Sequence, residues 1–265
     1  LISAWVNEVD EIYIYLRDEY PQVRQILENE IKEIESAGLV SKGHIKLRRG
    51  AGAYICGEET ALLESIEGKR GLPRNRPPYP AENGLFGMPT LVHNVETLYW
   101  ITKVLLNGAD WYKQKGSPRI YSVSGRVATP GVVIAPSGVS ARELIYDYCG
   151  GMSEGAEFKA YLPGGASGGI LPSNMSDIPL EFGSLEEYGC FVGSGGVVVF
   201  SDKDNIKQIV LNLLRFFAEE SCGQCTPCRL GCDKLINLTQ EETRDEVLIG
   251  DIISVMRDAS ICGLG

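Results

Sequence analysis

The sequence predicts a modular α/β protein: an α/β region up to about residue 117, a small α+β module near residues 118–175, and a helical bundle after residue 201. Three observations carry this reading. The first stretch alternates a strand, a helix and a strand; from Arg119 the pattern changes to short strands set apart by glycine turns; after Ile206, helical periodicity is broken only by a cysteine-rich loop. With 265 residues, 44% of them hydrophobic, the chain has enough apolar surface for two or three separate cores.

Taken in order, EIYIYL (residues 11–16) has the alternation of a strand, and Tyr20-Pro21 opens a helix that places Val23, Ile26, Leu27, Ile31 and Ile34 on one face, with Gly38 as its stop. A second strand runs from His44 to Leu47, followed by the glycine-rich turn RRGAGAYICG and a helix starting near Glu58. Between Gly68 and Pro89 stand five prolines and four glycines, too many for a regular element, so this interval is predicted to be a long ordered loop around a site. A helix from about His93 to Asn107 follows it. The next module has strands at RIYSVSG, GVVIAP and FKAYLPGG around one helix, Ala141 to Cys149. From Gly196 the strand GVVVF leads into a helix over Ile206–Glu219, then the cysteine loop, then two more helices.

Composition excludes some functions. Asp plus Glu outnumber Lys plus Arg by 35 to 25, a net charge of -10, which argues against a nucleic-acid surface. No apolar run approaches the ~20 residues of a membrane helix. The opening LISAWVNEVDEIYIYL lacks the charged and small-residue parts of a signal peptide, so a cytoplasmic location without membrane insertion is expected.

Five of the eight cysteines fall after residue 220. Cys222, Cys225 and Cys228 form a double C-x-x-C in ESCGQCTPC, short enough for three sulfurs to grip one compact centre. Zinc sites more commonly use two separated C-x-x-C knuckles, so an iron-sulfur cluster is favoured over a four-cysteine zinc module. Two candidates compete for fourth ligand. Cys232 completes a ferredoxin-like run, but Asp233 rather than Pro follows it and no second ligand set exists, which favours Cys262 in SICGLG and leaves Cys232 as a core residue. Cys56, Cys149 and Cys190 read as small buried apolar groups.

The glycine turn before Glu58 and Glu59 has two readings. Its unpaired amides suit a phosphate or a flavin edge, or it is an ordinary turn whose acidic residues complement a helix dipole. The spacing of Gly50, Gly52 and Gly57 is not that of a dinucleotide fingerprint. In the following loop, Arg74 and Arg76 suit a pyrophosphate, and Tyr79 and Phe86 suit stacking on a ring; the alternative is surface decoration.

The motifs ICGEETALLESIEGKRGLPRNRPPYPAENGLFGMPTLVHNVETL, ESCGQCTPCRLG and SICGLG resemble the NADH-binding flavoprotein subunit of respiratory complex I and its relatives, over nearly the whole chain. Those relatives include the beta subunit of NAD-dependent, molybdenum-containing formate dehydrogenase and the diaphorase subunit of bidirectional hydrogenases, and IYIYLRDEYP and GMPTLVHNVETLYW look most like the formate dehydrogenase branch. The resemblance implies a partial α/β domain for FMN and NADH over residues 1–117, a β-grasp-like insert over 118–175, a return to the flavin domain over 176–200, and a helical 4Fe-4S domain over 201–265. It carries cofactor contacts onto Tyr54, Gly57, Glu58 and Glu59, onto Arg76 and Tyr79 in the loop, and onto Val92, His93, Asn94 and Thr97; the cluster ligands it implies are Cys222, Cys225, Cys228 and Cys262. His93 stands where many relatives have Asn, Arg76 where they have Lys, and Tyr79 where Phe is frequent. The implied activity is hydride exchange between NAD(H) and FMN, then single-electron transfer through the cluster, with the two glutamates orienting a ribose or amide rather than acting as bases. The implied partners are a two-iron, thioredoxin-like gamma-type subunit and a larger iron-sulfur or molybdenum catalytic subunit. The family's first glycine-rich loop has no counterpart here, so weak or absent FMN binding by this chain alone is expected.

Overall fold

The computed structural model describes residues 1–243 and 245–265, which divide into two compact units, Leu1–His93 with Leu214–Gly265, and Asn94–Leu213. The first unit opens with α1 (Ile2–Val6), β1 (Ile12–Leu16), α2 (Pro21–Ser36) and β2 (Ile45–Arg49). β1 and β2 pair in parallel, Ile12 opposite Ile45 through Leu16 opposite Arg49, with α2 as the crossover that a parallel pair requires. Pro21 starts α2, where a missing N–H costs nothing, and Gly38 at φ +70° turns the chain back after it. After β2 the chain makes a single 3-10 turn, Tyr54–Gly57, and enters α3 (Glu59–Ile66). The interval from Gly68 to Pro89 is irregular apart from one short turn at Leu85–Gly87, as its proline and glycine content predicts.

The second unit holds α4 (Val95–Asn107), α5 (Ala109–Gln114), β3 (Arg119–Gly125), β4 (Gly131–Ala135), α6 (Ala141–Glu143, continued by one π turn over Leu144–Tyr148), β5 (Phe158–Leu162), β6 (Leu171–Pro172) and β7 (Gly196–Ser201). These strands form one sheet in the order β4-β3-β7-β5-β6, in which β3 and β7 are parallel and the other pairs antiparallel. Its core gathers Tyr121, Val123, Leu144, Ile145, Tyr161, Leu180, Val197 and Val199. Ser140 caps α6 in a reciprocal box with Glu143.

This topology corrects two boundaries. Residues 176–200 do not return to the first unit, because β7 is the central strand of the sheet, bonded to β3 on one side and to β5 on the other. GVVVF has apolar side chains at successive positions, as a strand buried on both faces needs, but such a run does not state which sheet receives it. The unit also begins at Asn94 rather than near residue 118, so it takes in α4 and α5.

α7 (Ile206–Glu220) ends in the first unit, from Leu214 onward, and is followed there by α8 (Thr226–Gln240) and α9 (Glu246–Ala259). Their shared core contains Cys228, Cys232, Leu235 and Met256, with Leu214, Phe217, Ile249 and Ile252 packed against it. Gly231 lets α8 approach α9 closely, since a Cβ there would lie 2.3 Å from Met256 Sδ. Among the described residues no helix is long and apolar enough to cross a membrane.

Candidate cofactor sites

The glycine turn is organised by Glu58. This residue stands in extended conformation just ahead of α3, and its Oε2 accepts from the backbone N–H of Thr60 and of Ala61, each at 2.9 Å, and from the Thr60 hydroxyl. Its Oε1 pairs with Arg76, and the same guanidinium lies 3.0 Å from Glu59 Oε1, so one arginine of the loop bridges both glutamates. Beside them Gly57 is exposed, and a Cβ built there would meet nothing within 4 Å. The backbone at Gly57 is therefore open to solvent, and a planar ligand can approach it closely.

Arg74 has a different role from the pyrophosphate contact considered for it. Its side chain donates to Glu64 at 2.6 Å, Glu67 at 3.0 Å and the Gly84 carbonyl at 2.9 Å, and its N–H reaches Thr60 Oγ1 at 2.8 Å. It fastens the loop to α3. Burial pushes the Glu67 carboxyl up, but hydrogen bonds from Lys69, the Phe86 amide and Arg74 outweigh it and leave Glu67 below its ordinary value. The rings of Tyr79 and Phe86 are exposed on the loop. Val92, half-buried, and His93, exposed, close the first unit's long segment. Asn94 and Thr97 open the second unit, where Asn94 Oδ1 caps α4 by accepting from Thr97 N–H at 2.8 Å.

The cysteine loop lies against the glycine turn. Cys222 and Cys262 pack on Ile55, Cys56 and Ala61, whereas Cys225 and Cys228 belong to the core of α8 and α9; Leu264 touches both groups. Three contacts unite the loop and the turn: Tyr54 N–H donates to Glu220 Oε2 at 2.8 Å, Arg70 donates to the Cys222 carbonyl at 3.0 Å, and the Tyr54 ring meets Phe216 edge-on at 5.0 Å. The motif spacing anticipated that Cys222, Cys225 and Cys228 lie close together, with Cys262 preferred over Cys232 as their companion, but it held no sign of the Glu220 and Arg70 ties, which join positions far apart in the chain.

The cysteines differ in their surroundings. Burial pushes the Cys262 thiol up, and the Leu264 amide only partly offsets it. Burial pushes the Cys225 thiol up, yet the Ile261 and Cys228 amides and the Ser260 hydroxyl outweigh it, leaving Cys225 more acidic than usual. Ser260 Oγ is buried beside the Cys225 sulfur. Ser221 Oγ lies 3.3 Å from Cys228 Sγ. Cys232 differs: burial and the neighbouring Cys228 push its thiol up to about 12, which keeps it protonated in the core. Among the described residues no three of His, Cys, Asp or Glu are arranged around a single metal ion. A 4Fe-4S cluster attaches each thiolate to a different iron, so its ligands surround a larger centre, and four cysteines with no other donor are its usual set.

Comparison with known proteins decides the family. Residues 1–103 match the Nuo51 FMN-binding domain, and residues 208–265 match the NADH-ubiquinone oxidoreductase-F iron-sulfur binding region. The F-type subunit of the NADH-quinone oxidoreductase of Rickettsia typhi is 37% identical across 100% of this chain, which covers 68% of that protein. The chain belongs to the family of NADH-quinone oxidoreductase F-type subunits. Its Escherichia coli member is 40% identical, with 100% of this chain covering 62% of it, and a subunit of the NADP-reducing hydrogenase of Solidesulfovibrio fructosivorans is 36% identical, with 95% covering 55%. A solved NAD+-reducing NiFe-hydrogenase in its H2-reduced state superposes with a TM-score of 0.88 at 36% identity, over 99% of this chain and 47% of that one. The chain thus spans roughly half to two thirds of its relatives' length. It carries the family's FMN-binding and 4Fe-4S regions, and the open backbone at Gly57 and the acidic Cys225 fit those two groups respectively.

Proposed function

We propose that this chain is the flavin- and cluster-bearing part of an NADH-oxidising, diaphorase-type subunit that passes electrons to a partner protein. The observation that carries this reading is the direct packing of the glycine turn and the start of α3, through Ile55, Cys56 and Ala61, on Cys222 and Cys262. When bound, FMN would supply two-electron exchange with NAD(H) and the 4Fe-4S cluster would supply one-electron exits. Gly57 would leave room for the flavin edge, while Glu58 and Glu59, held by Arg76, would present fixed carboxylate oxygens to ribose or amide donors. Tyr79, Val92, His93, Asn94 and Thr97 are the further cofactor contacts that the family resemblance implies, and Cys222, Cys225, Cys228 and Cys262 would hold the cluster. The apolar packing around those cysteines would exclude water and lower the reorganisation that electron transfer requires.

The β-grasp-like reading of the second unit is supported by its sheet order, with the first and last strands parallel at the centre and α6 between the second and third. The formate dehydrogenase branch is supported by IYIYLRDEYP and GMPTLVHNVETLYW. The named relatives are of quinone and hydrogenase type, so the parent complex and its gamma-type and molybdenum subunits are tested by co-purification from the native source and by whether formate or hydrogen reduces the flavin. The first test of the function is anaerobic purification of the full-length protein with iron, zinc and flavin quantified, low-temperature EPR after dithionite, and flavin bleaching by NADH. About four irons, a flavin and a fast-relaxing EPR signal are expected. Stoichiometric zinc with no EPR signal refutes the reading.

A further inference from the structure

We infer that Ser221 raises the reduction potential of the cluster by donating its hydroxyl proton to the sulfur of Cys228, an inference that rests on Cys228 being a ligand. Ser221 Oγ and Cys228 Sγ are 3.3 Å apart, and in a free thiol pair either atom can donate. The state of the sulfur fixes the direction. The Gly223 N–H donates to Ser221 Oγ at 3.3 Å, which occupies one of that oxygen's two lone pairs and is compatible with its proton going to another acceptor. A cysteine bound to iron is a thiolate and has no proton to give. Ser221 is then the donor of the pair, and Cys228, only 5% exposed, is shielded from competing water.

The fold holds this serine in place from both sides. Glu220, the last residue of α7, is fastened through its carboxylate to the Tyr54 amide at 2.8 Å. Gly223 turns the chain at φ +75°, and its carbonyl accepts at 2.5 Å from Arg229, one residue beyond Cys228 on α8. The Ser221–Gly223 turn is therefore tied to the same helical turn that presents the Cys228 sulfur.

Reduction adds one electron and no proton, so the added negative charge is shared by the sulfurs while the hydroxyl proton stays on Ser221 Oγ. A donor to a thiolate stabilises the more negative state more strongly, and hydrogen bonds to the sulfurs are among the factors that set such potentials. Ser221 is thus a tuning residue that acts through a ligand.

The test is an EPR-monitored redox titration of the intact, anaerobically purified complex, native against Ser221→Ala and Ser221→Thr, with iron content measured on each sample. Ser221→Ala is expected to lower the reduced-to-oxidised ratio at a fixed potential about tenfold, a fall of about 59 mV for a one-electron couple, and Ser221→Thr, which keeps the hydroxyl, to restore it. An unchanged midpoint in an iron-replete Ser221→Ala sample overturns the inference, as does a Ser221→Thr variant that shifts as far as Ala. Should Ser221→Ala lose its iron, the isosteric pair Ser221→Thr and Ser221→Val, which differ by one hydroxyl, is compared in the same way, and equal midpoints overturn it. Failure of the ligand assignment is separate: it shows as iron retained by Cys228→Ala.

Discussion

Glu58 offers the sharpest test of how the glycine turn is built, because one carboxylate both caps α3 and anchors the loop. In Glu58→Ala the N–H groups of Thr60 and Ala61, bonded at 2.9 Å each, lose their acceptor, and Arg76 keeps only Glu59. Loss of an N-cap costs about 1 kcal/mol, with a range of roughly 0.5–2. The Arg76 ion pair adds only about 0.5–1 kcal/mol, since the arginine side chain is 37% exposed and water screens it. The sum, about 2 kcal/mol, should appear as local opening of α3 and not as global unfolding, so the assay is amide hydrogen exchange by mass spectrometry over residues 59–66. At about 1.4 kcal/mol per decade, exchange is expected to accelerate about thirtyfold. Glu58→Gln retains an oxygen for the cap but not the charge, and should cost about half as much. If Glu58→Ala exchanges within about twofold of native, or if Glu58→Gln is as severe as Ala, the capping account is wrong.

Other outcomes follow from the same structure. Cys262→Ala is expected to lose the cluster, whereas Cys232→Ala should retain about four irons and lose only ~1 kcal/mol from its buried packing; iron assay with thermal denaturation reads both. Gly125→Ala should destabilise the second unit by roughly 3 kcal/mol or more, because the residue sits at φ +88° and its Cβ would fall 2.2 Å from the Val199 carbonyl oxygen; circular dichroism melts measure it. Arg126 and the Ser201 amide hold the Asp204 carboxyl well below its ordinary value of 3.8. That stabilisation is full above the unfolded value and fades as pH falls toward the depressed folded value, so Asp204→Asn should be less stable than native at neutral pH, with the difference shrinking as pH falls below about 4; urea melts across pH check the sign.

Much of this protein was readable from local sequence. β1, α2 and β2, the irregular Gly68–Pro89 loop, and the helices on either side of the cysteine loop followed from periodicity, prolines and glycines, since each of these signals acts within a few residues of backbone. The C-x-x-C spacing likewise confined Cys222, Cys225 and Cys228 to one short stretch of chain without help from the rest of the fold. Tertiary structure decided the remainder. It placed β7 at the centre of the second unit's sheet, made Arg74 a strut of the loop and Arg76 the bridge between Glu58 and Glu59, and set Cys222 and Cys262 against the glycine turn. None of these was visible beforehand because strand partners, guanidinium acceptors and the packing of a loop depend on residues outside the local pattern, which only the folded chain brings into contact.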